Sequence, residues 1–274
     1  MLKRFLLVLL VLILAPVAYA QSDDKVERLS GLLQLQPLFE VMRDEGITYG
    51  ADLDREMLDG AGGVSWQHAV NGIYEPDRLW RIFLPALTAE LKDADVGAMI
   101  DFFETDLGAR ITTLELEARH ALLDKAIEAA SKEQFHDLSE SGSSRMALLE
   151  DLVQANDLVE YNVMAALNAS YAFYSGMIDG QAFETPPNDA DVLKEVWAQE
   201  GEIRLDTNEW LYSYMLLAYQ PLTDEELRIY VDFSKSNAGR VLNSALFAAY
   251  DRVTVNVSKS LGLTVAQFMH DQEL

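Results

Sequence analysis

Residues 222–239 read LTDEELRIYVDFSKSNAG, and residues 91–108, LKDADVGAMIDFFETDLG, carry the same marks at the same spacing. Leu91-x-Asp93, Asp101-Phe102 and Gly108 return as Leu222-x-Asp224, Asp232-Phe233 and Gly239, and Trp66 returns as Trp197. Every pair is 131 positions apart, without a gap. Identities sharing one offset point to internal duplication of a helical unit. The later copy shows the mechanics. Thr223 stands where its hydroxyl can accept from the amide of Glu226, and the Glu226 carboxylate can return the bond, which makes a capping box. Leu222 and Leu227 occupy the two positions of a hydrophobic staple. Leu227, Tyr230 and Val231 then form one apolar face, matched by Val96, Met99 and Ile100 in the earlier copy. There Lys92 holds the capping position and accepts no bond, so the reading places that cap at Asp93. Ser236 and Thr105 each precede a glycine by three residues. Each is expected to cap a second helix, with Gly239 or Gly108 admitting close approach to the first, which gives an αα-hairpin in each copy.

Outward from these blocks, apolar residues recur at helical spacing, as in Leu29, Leu32, Leu33 and Leu149, Leu152, Val153, while alternating runs are scarce. The expected fold is all-α, with two tandem helical-bundle repeats packed against each other. The breakers are Pro37, Gly60 to Gly63, Pro76, Pro85, Ser139 to Ser144, Pro186-Pro187 and Pro221. The serine-rich stretch at 139–144 has linker composition, so repeat 1 is placed at 21–138 and repeat 2 at 145–274. Leu38-Phe39-Glu40 resembles Leu158-Val159-Glu160 at the smaller offset of 120, which implies an insertion before Trp197, placed at Phe183 to Ala190.

Lys3 and Arg4 precede an apolar run from Phe5 to Val17 that ends in Ala18-Tyr19-Ala20. This is the pattern of a secretory signal peptide over residues 1–20, with a mature chain from Gln21 and a periplasmic destination. The run is short for a membrane span, and Asp23, Asp24 and Lys25 follow at once, so no membrane association is expected after cleavage. The chain has no cysteine, which excludes disulfides and thiolate metal sites. Its formal charge of −24 repels phosphate backbones and excludes nucleic acid as a partner.

The block from Leu222-Thr-Asp-Glu-Glu-Leu through Asp232-Phe233 to Gly239-Arg240-Val241-Leu242 resembles the DUF2059 family, whose members carry an acidic helix start, a phenylalanine and a Ser-x-x-Gly turn. The resemblance runs from near Asn208 to Ala249 and is fainter in the first copy. It implies a small helical domain in exported bacterial proteins and brings no catalytic residues with it. Asn237 stands where the family often has proline.

Chemistry is sparse. Asp101 and Asp232 admit a catalytic or metal-binding reading, but the motif supplies one carboxylate where such work needs a second group, so a capping or pairing role is expected. Glu117-Ala-Arg-His120 and Glu133-Gln-Phe-His136 echo the Glu-x-x-His ligands of di-iron bundles. On one continuous helix over 106–138 they would lie about 24 Å apart; a turn at Ser131 would weaken that objection without supplying the missing ligands. Asp52-x-Asp54-x-Glu56 begins like a calcium loop, yet Met57 and Gly63 stand where glycine and glutamate are needed. No cofactor or metal is expected. Aromatic residues crowd the second copy, and Trp197, Trp210 and Tyr214 are the candidate lining of a ligand groove, against a plain core-packing role. The expected function is non-enzymatic: an interaction or envelope-assembly role in the periplasm, with a carrier of an apolar ligand or peptide next and an enzyme using a His/carboxylate site last.

Overall fold

The computed structural model describes residues 15–139 and 142–272, with side-chain surroundings for 24–139 and 142–270. Most of the expected signal peptide, and Glu140 and Ser141 of the expected linker, lie outside these residues. The chain runs through α1 (Ala15–Leu32), α2 (Leu35–Met57), α3 (Gly63–Ile73), α4 (Pro76–Glu90), α5 (Val96–Phe103), α6 (Asp106–Ala121) and α7 (Lys125–Ser139). It continues through α8 (Ser144–Ala155), α9 (Leu158–Asp179), α10 (Asp189–Ala198), α11 (Glu200–Ala218), α12 (Asp224–Lys235) and α13 (Asn237–Gln272). Among the described residues there is no strand, and the fold is all-α.

Local chemistry sets the helix starts. Glu75 accepts from the amides of Asp77 and Arg78 ahead of α4, with Pro76 at its first position. Ser143 caps α8 and Asn188 caps α10. The capping box of α12 forms as its sequence demands: Thr223 accepts from the Glu226 amide at 3.2 Å, and Glu226 accepts from the Thr223 amide at 2.8 Å. Leu222 and Leu227 are both buried beside it. In the first half the cap is Asp95, which accepts from the Ala98 amide at 3.2 Å, and not Asp93. Without an acceptor at Lys92, residues 91–94 stay in turns and α5 begins three positions later than the offset of 131 would place it.

Two short corners then recur. Thr105 accepts from the Gly108 amide at 3.0 Å, and Ser236 accepts from the Gly239 amide at 3.0 Å. A Cβ on Gly108 would meet the Phe102 carbonyl oxygen at 2.3 Å, and one on Gly239 the Phe233 carbonyl oxygen at 2.2 Å. Both glycines are therefore fixed by backbone-to-backbone approach. Left-handed residues also turn the chain at matching places, Gln34 before α2 and Asp157 before α9. These starts put α2 and α9 123 positions apart, in place of the offset of 120 read from Leu38-Phe39-Glu40.

The cores cross the expected boundary at 139–144. The first cluster gathers Val26, Leu29, Phe39, Trp66, Leu79, Phe83, Leu87 and Met99 with a stripe of α13: Leu242, Ala245, Ala249, Val253, Val257, Leu261 and Val265. The second joins Ile111 and Ala118 of α6 to Leu149, Leu152, Leu211, Met215, Leu227 and Val231 from the second half. Each half thus completes its core with a helix of the other, α13 for the first and α6 for the second, at about 1.5–3 kcal/mol for each large aliphatic side chain buried. The Trp66–Trp197 pairing does not survive in space. Trp66 lies one turn into α3, buried, with Nε1 donating to the Gly50 carbonyl at 2.8 Å. Trp197 lies in the last turn of α10 and is 56% exposed.

Candidate functional site

Where the halves meet, a cavity of about 320 Å³ opens between α2, α6, α11, α12 and α13. Its walls are mainly apolar, with Leu35, Leu38, Leu116, Leu242 and Leu246 facing Phe103 and Phe233. Phe233 stacks on Phe102 with ring centroids 3.9 Å apart and planes 8° from parallel, which joins α5 to α12 beside the cavity. The cavity sits at that seam because α6 and α13 exchange partners there. Thr112, Glu115 and Arg119 come from α6, and Asn243, Leu246 and Tyr250, each 131 positions later, come from α13.

Polar groups are concentrated on the α6 side. Glu115 Oε1 accepts from the Tyr219 hydroxyl at 2.6 Å and from the Tyr230 hydroxyl at 3.1 Å. Burial pushes the Glu115 carboxyl above the ordinary range, and the two tyrosine bonds offset only part of that. The Tyr214 hydroxyl donates to the Glu115 carbonyl at 3.3 Å. Burial, with the Glu115 charge adding to it, holds the hydroxyls of Tyr214, Tyr219 and Tyr230 well above the usual tyrosine range, so they remain donors. One turn on, Arg119 donates to Glu45 at 2.7 Å and lies 5.0 Å from the centre of the Trp210 ring. Trp210 in turn stacks on Tyr214 at 5.3 Å. The Tyr250 hydroxyl is buried with no hydrogen-bond partner.

Of the sequence candidates, Trp210 and Tyr214 come together in this cavity, and Phe233 and Gly239 line it. Trp197 stands apart on α10 and is not part of it. Asp101 and Asp232 are exposed on α5 and α12 and enter no described hydrogen bond or ion pair, while the Thr105 and Ser236 hydroxyls cap the starts of the following helices α6 and α13. The histidines do not converge. The chain breaks at Leu122–Asp124, where Asp124 accepts from the Ala126 amide at 2.8 Å, while Ser131 is buried within α7. His136 meets Glu209 of α11 at 2.9 Å, and His120 is exposed. Asp52, Asp54 and Glu56 are helical, with Asp54 accepting from the Gly62 amide. Among the described residues no group of three His, Cys, Asp or Glu side chains is placed to hold a metal ion.

Sequence reasoning passed over Glu115, Arg119 and Tyr250. One signal was present: Glu115 interrupts the helical stripe Ile111, Glu115, Ala118, a charged residue on an otherwise buried face.

The span from Asp77 in α4 to Gln134 in α7 contains the first αα-hairpin and the α6 side of the cavity. Residues 77–134 match the family described as an uncharacterised protein conserved in bacteria, DUF2059. The DUF2059 match thus falls in the first half of the chain, whereas the resemblance read from the sequence rests chiefly on 208–249. The order of strength differs although both copies build the same Thr/Ser-x-x-Gly corner. No curated protein and no solved structure matches the chain.

Proposed function

We propose that this chain is an exported, non-catalytic binding protein that holds one small amphipathic ligand in the cavity at the seam of two duplicated halves. The observation that carries the reading is the cavity itself: about 320 Å³, lined mainly by leucine and aromatic side chains, with Glu115 among them accepting from the Tyr219 and Tyr230 hydroxyls. An apolar cavity of ligand size with a few convergent polar groups is the usual form of a small-molecule site. Duplication is supported by the recurring corners and by the order α1–α6 returning as α8–α13. Export is supported by the pattern of residues 1–20, a basic start, an apolar run and a small-x-small end. No described helix is long and apolar enough to cross a membrane.

The neutral fluorophore N-phenyl-1-naphthylamine tests the reading. Saturable one-to-one enhancement is expected with the wild-type chain and strong loss of it with Leu246→Trp, which fills the cavity. Enhancement that never saturates, or that Leu246→Trp leaves unchanged, overturns it.

A partner-docking role has one observation in its favour. Leu193 and Trp197, one helical turn apart on α10, are 45% and 56% exposed. Under that reading Trp197→Ser abolishes copurification of an envelope protein with the tagged chain; unchanged recovery counts against it.

A further inference from the structure

The cavity lining is rich in hydrogen-bond acceptors. Gln34 uses its amide nitrogen on Thr113 at 3.0 Å, Asn156 uses its own on the Leu152 carbonyl at 3.2 Å, and Asn243 on the Asn156 carbonyl at 2.7 Å. All three line the cavity, and their amide oxygens enter no described hydrogen bond. Glu115 adds a carboxylate with both tyrosine hydroxyls on Oε1, in no ion pair among the described residues. The cation in the lining, Arg119, is already balanced by Glu45 and lies over Trp210. Aromatic faces supply the remaining wall, among them Phe103, Trp210, Tyr214, Phe233 and Tyr250. Such faces attract a desolvated cation, and the −24 charge of the whole chain raises the local concentration of cations.

We infer that the cavity takes a small organic cation, an alkyl- or arylalkylammonium, whose N–H groups bond Glu115 and the neighbouring amide oxygens while its apolar body lies on the leucine and aromatic wall. The inference rests on the binding reading above and narrows it to one ligand class. A neutral alcohol of the same shape leaves the Glu115 charge uncompensated, and a carboxylate places a second anion beside it.

Isothermal titration of the full chain with 2-phenylethylammonium, 2-phenylethanol and 3-phenylpropanoate near neutral pH tests the assignment. The ammonium is expected to bind about tenfold to a hundredfold more tightly than the alcohol, and the carboxylate more weakly than either. Glu115→Gln, which keeps an acceptor for the two tyrosines, is expected to bring the ammonium down to the level of the alcohol. Equal or tighter binding of the alcohol or the carboxylate overturns the cation assignment, and so does a folded Glu115→Gln that retains full ammonium affinity. Should that variant fail to fold, the three-probe comparison on the wild-type chain decides alone. If the alcohol binds and the ammonium does not, the cavity reading stands without the cation; if no probe binds, N-phenyl-1-naphthylamine included, both fall.

Discussion

Glu115 ties the site to folding energetics. It meets Tyr214 from α11, Tyr219 at the end of that helix and Tyr230 from α12, with Arg119 one turn away on its own helix. Because its folded pKa is raised, the folded chain keeps the proton where the unfolded chain has released it. This group therefore lowers stability as pH climbs from the ordinary carboxylate range through the raised folded value. Urea titrations across that window are expected to show a downward slope that Glu115→Gln reduces; identical slopes would mean the carboxyl is not strained by burial. An ammonium ligand works in the opposite sense, favouring the ionised form, so its affinity is expected to rise with pH over the same window. Gly239 makes a second prediction at this scale. The Cβ of Gly239→Ala would lie 2.2 Å from the Phe233 carbonyl oxygen, backbone that cannot swing aside, so a loss of about 1–3 kcal/mol is expected by denaturant unfolding. That glycine was legible from the Ser-x-x-Gly spacing. Glu115 was less so, because one carboxylate within an apolar stripe does not show that three tyrosines distant in sequence meet it.

At the scale of single helices, local sequence determined most of what formed. The box at Thr223 and Glu226 and the hydroxyl caps at Thr105 and Ser236 follow from side chains within three residues of the bond they make. Thr223→Ala is expected to cost about 1 kcal/mol by urea unfolding, as loss of an N-cap does. Asp95→Ala is expected to cost a similar amount and Asp93→Ala far less, which separates the observed cap from the one read off the repeat. Asp93 was misread because the alignment to the second copy carried a helix start with it, although Lys92 had removed the acceptor that start depends on. Trp197 was misread for a related reason: α3 starts at Gly63 and α10 at Asp189, 126 positions apart, so an offset of 131 puts the two tryptophans at different registers on their helices.

Over the whole molecule, the two halves are interlocked through α6 and α13. Periodicity alone does not say which half the apolar stripe of α13 covers, since both cores are leucine-rich and the choice depends on contacts distant in sequence. Glycines at the α9–α13 crossing let the chains approach: a Cβ on Gly262 would meet the Phe173 carbonyl oxygen at 2.1 Å. A chain ending at Ser236 is expected to lose cooperative unfolding of the first half, because the α13 stripe fills that core. The intact chain is expected to unfold in one transition, with circular dichroism and tryptophan fluorescence coinciding; two separated transitions would show independent halves.

The central claim is that a ligand enters the seam. The most direct test is fluorine NMR of the chain labelled with 5-fluorotryptophan, its four tryptophan signals assigned by single Trp→Phe variants and followed during titration with N-phenyl-1-naphthylamine. Trp210 lines the cavity, whereas Trp66, Trp80 and Trp197 are not among its lining residues. A saturable shift of the Trp210 signal, with the other three nearly still, is the predicted result. A still Trp210 signal, or a shift centred on exposed Trp197, would contradict the account.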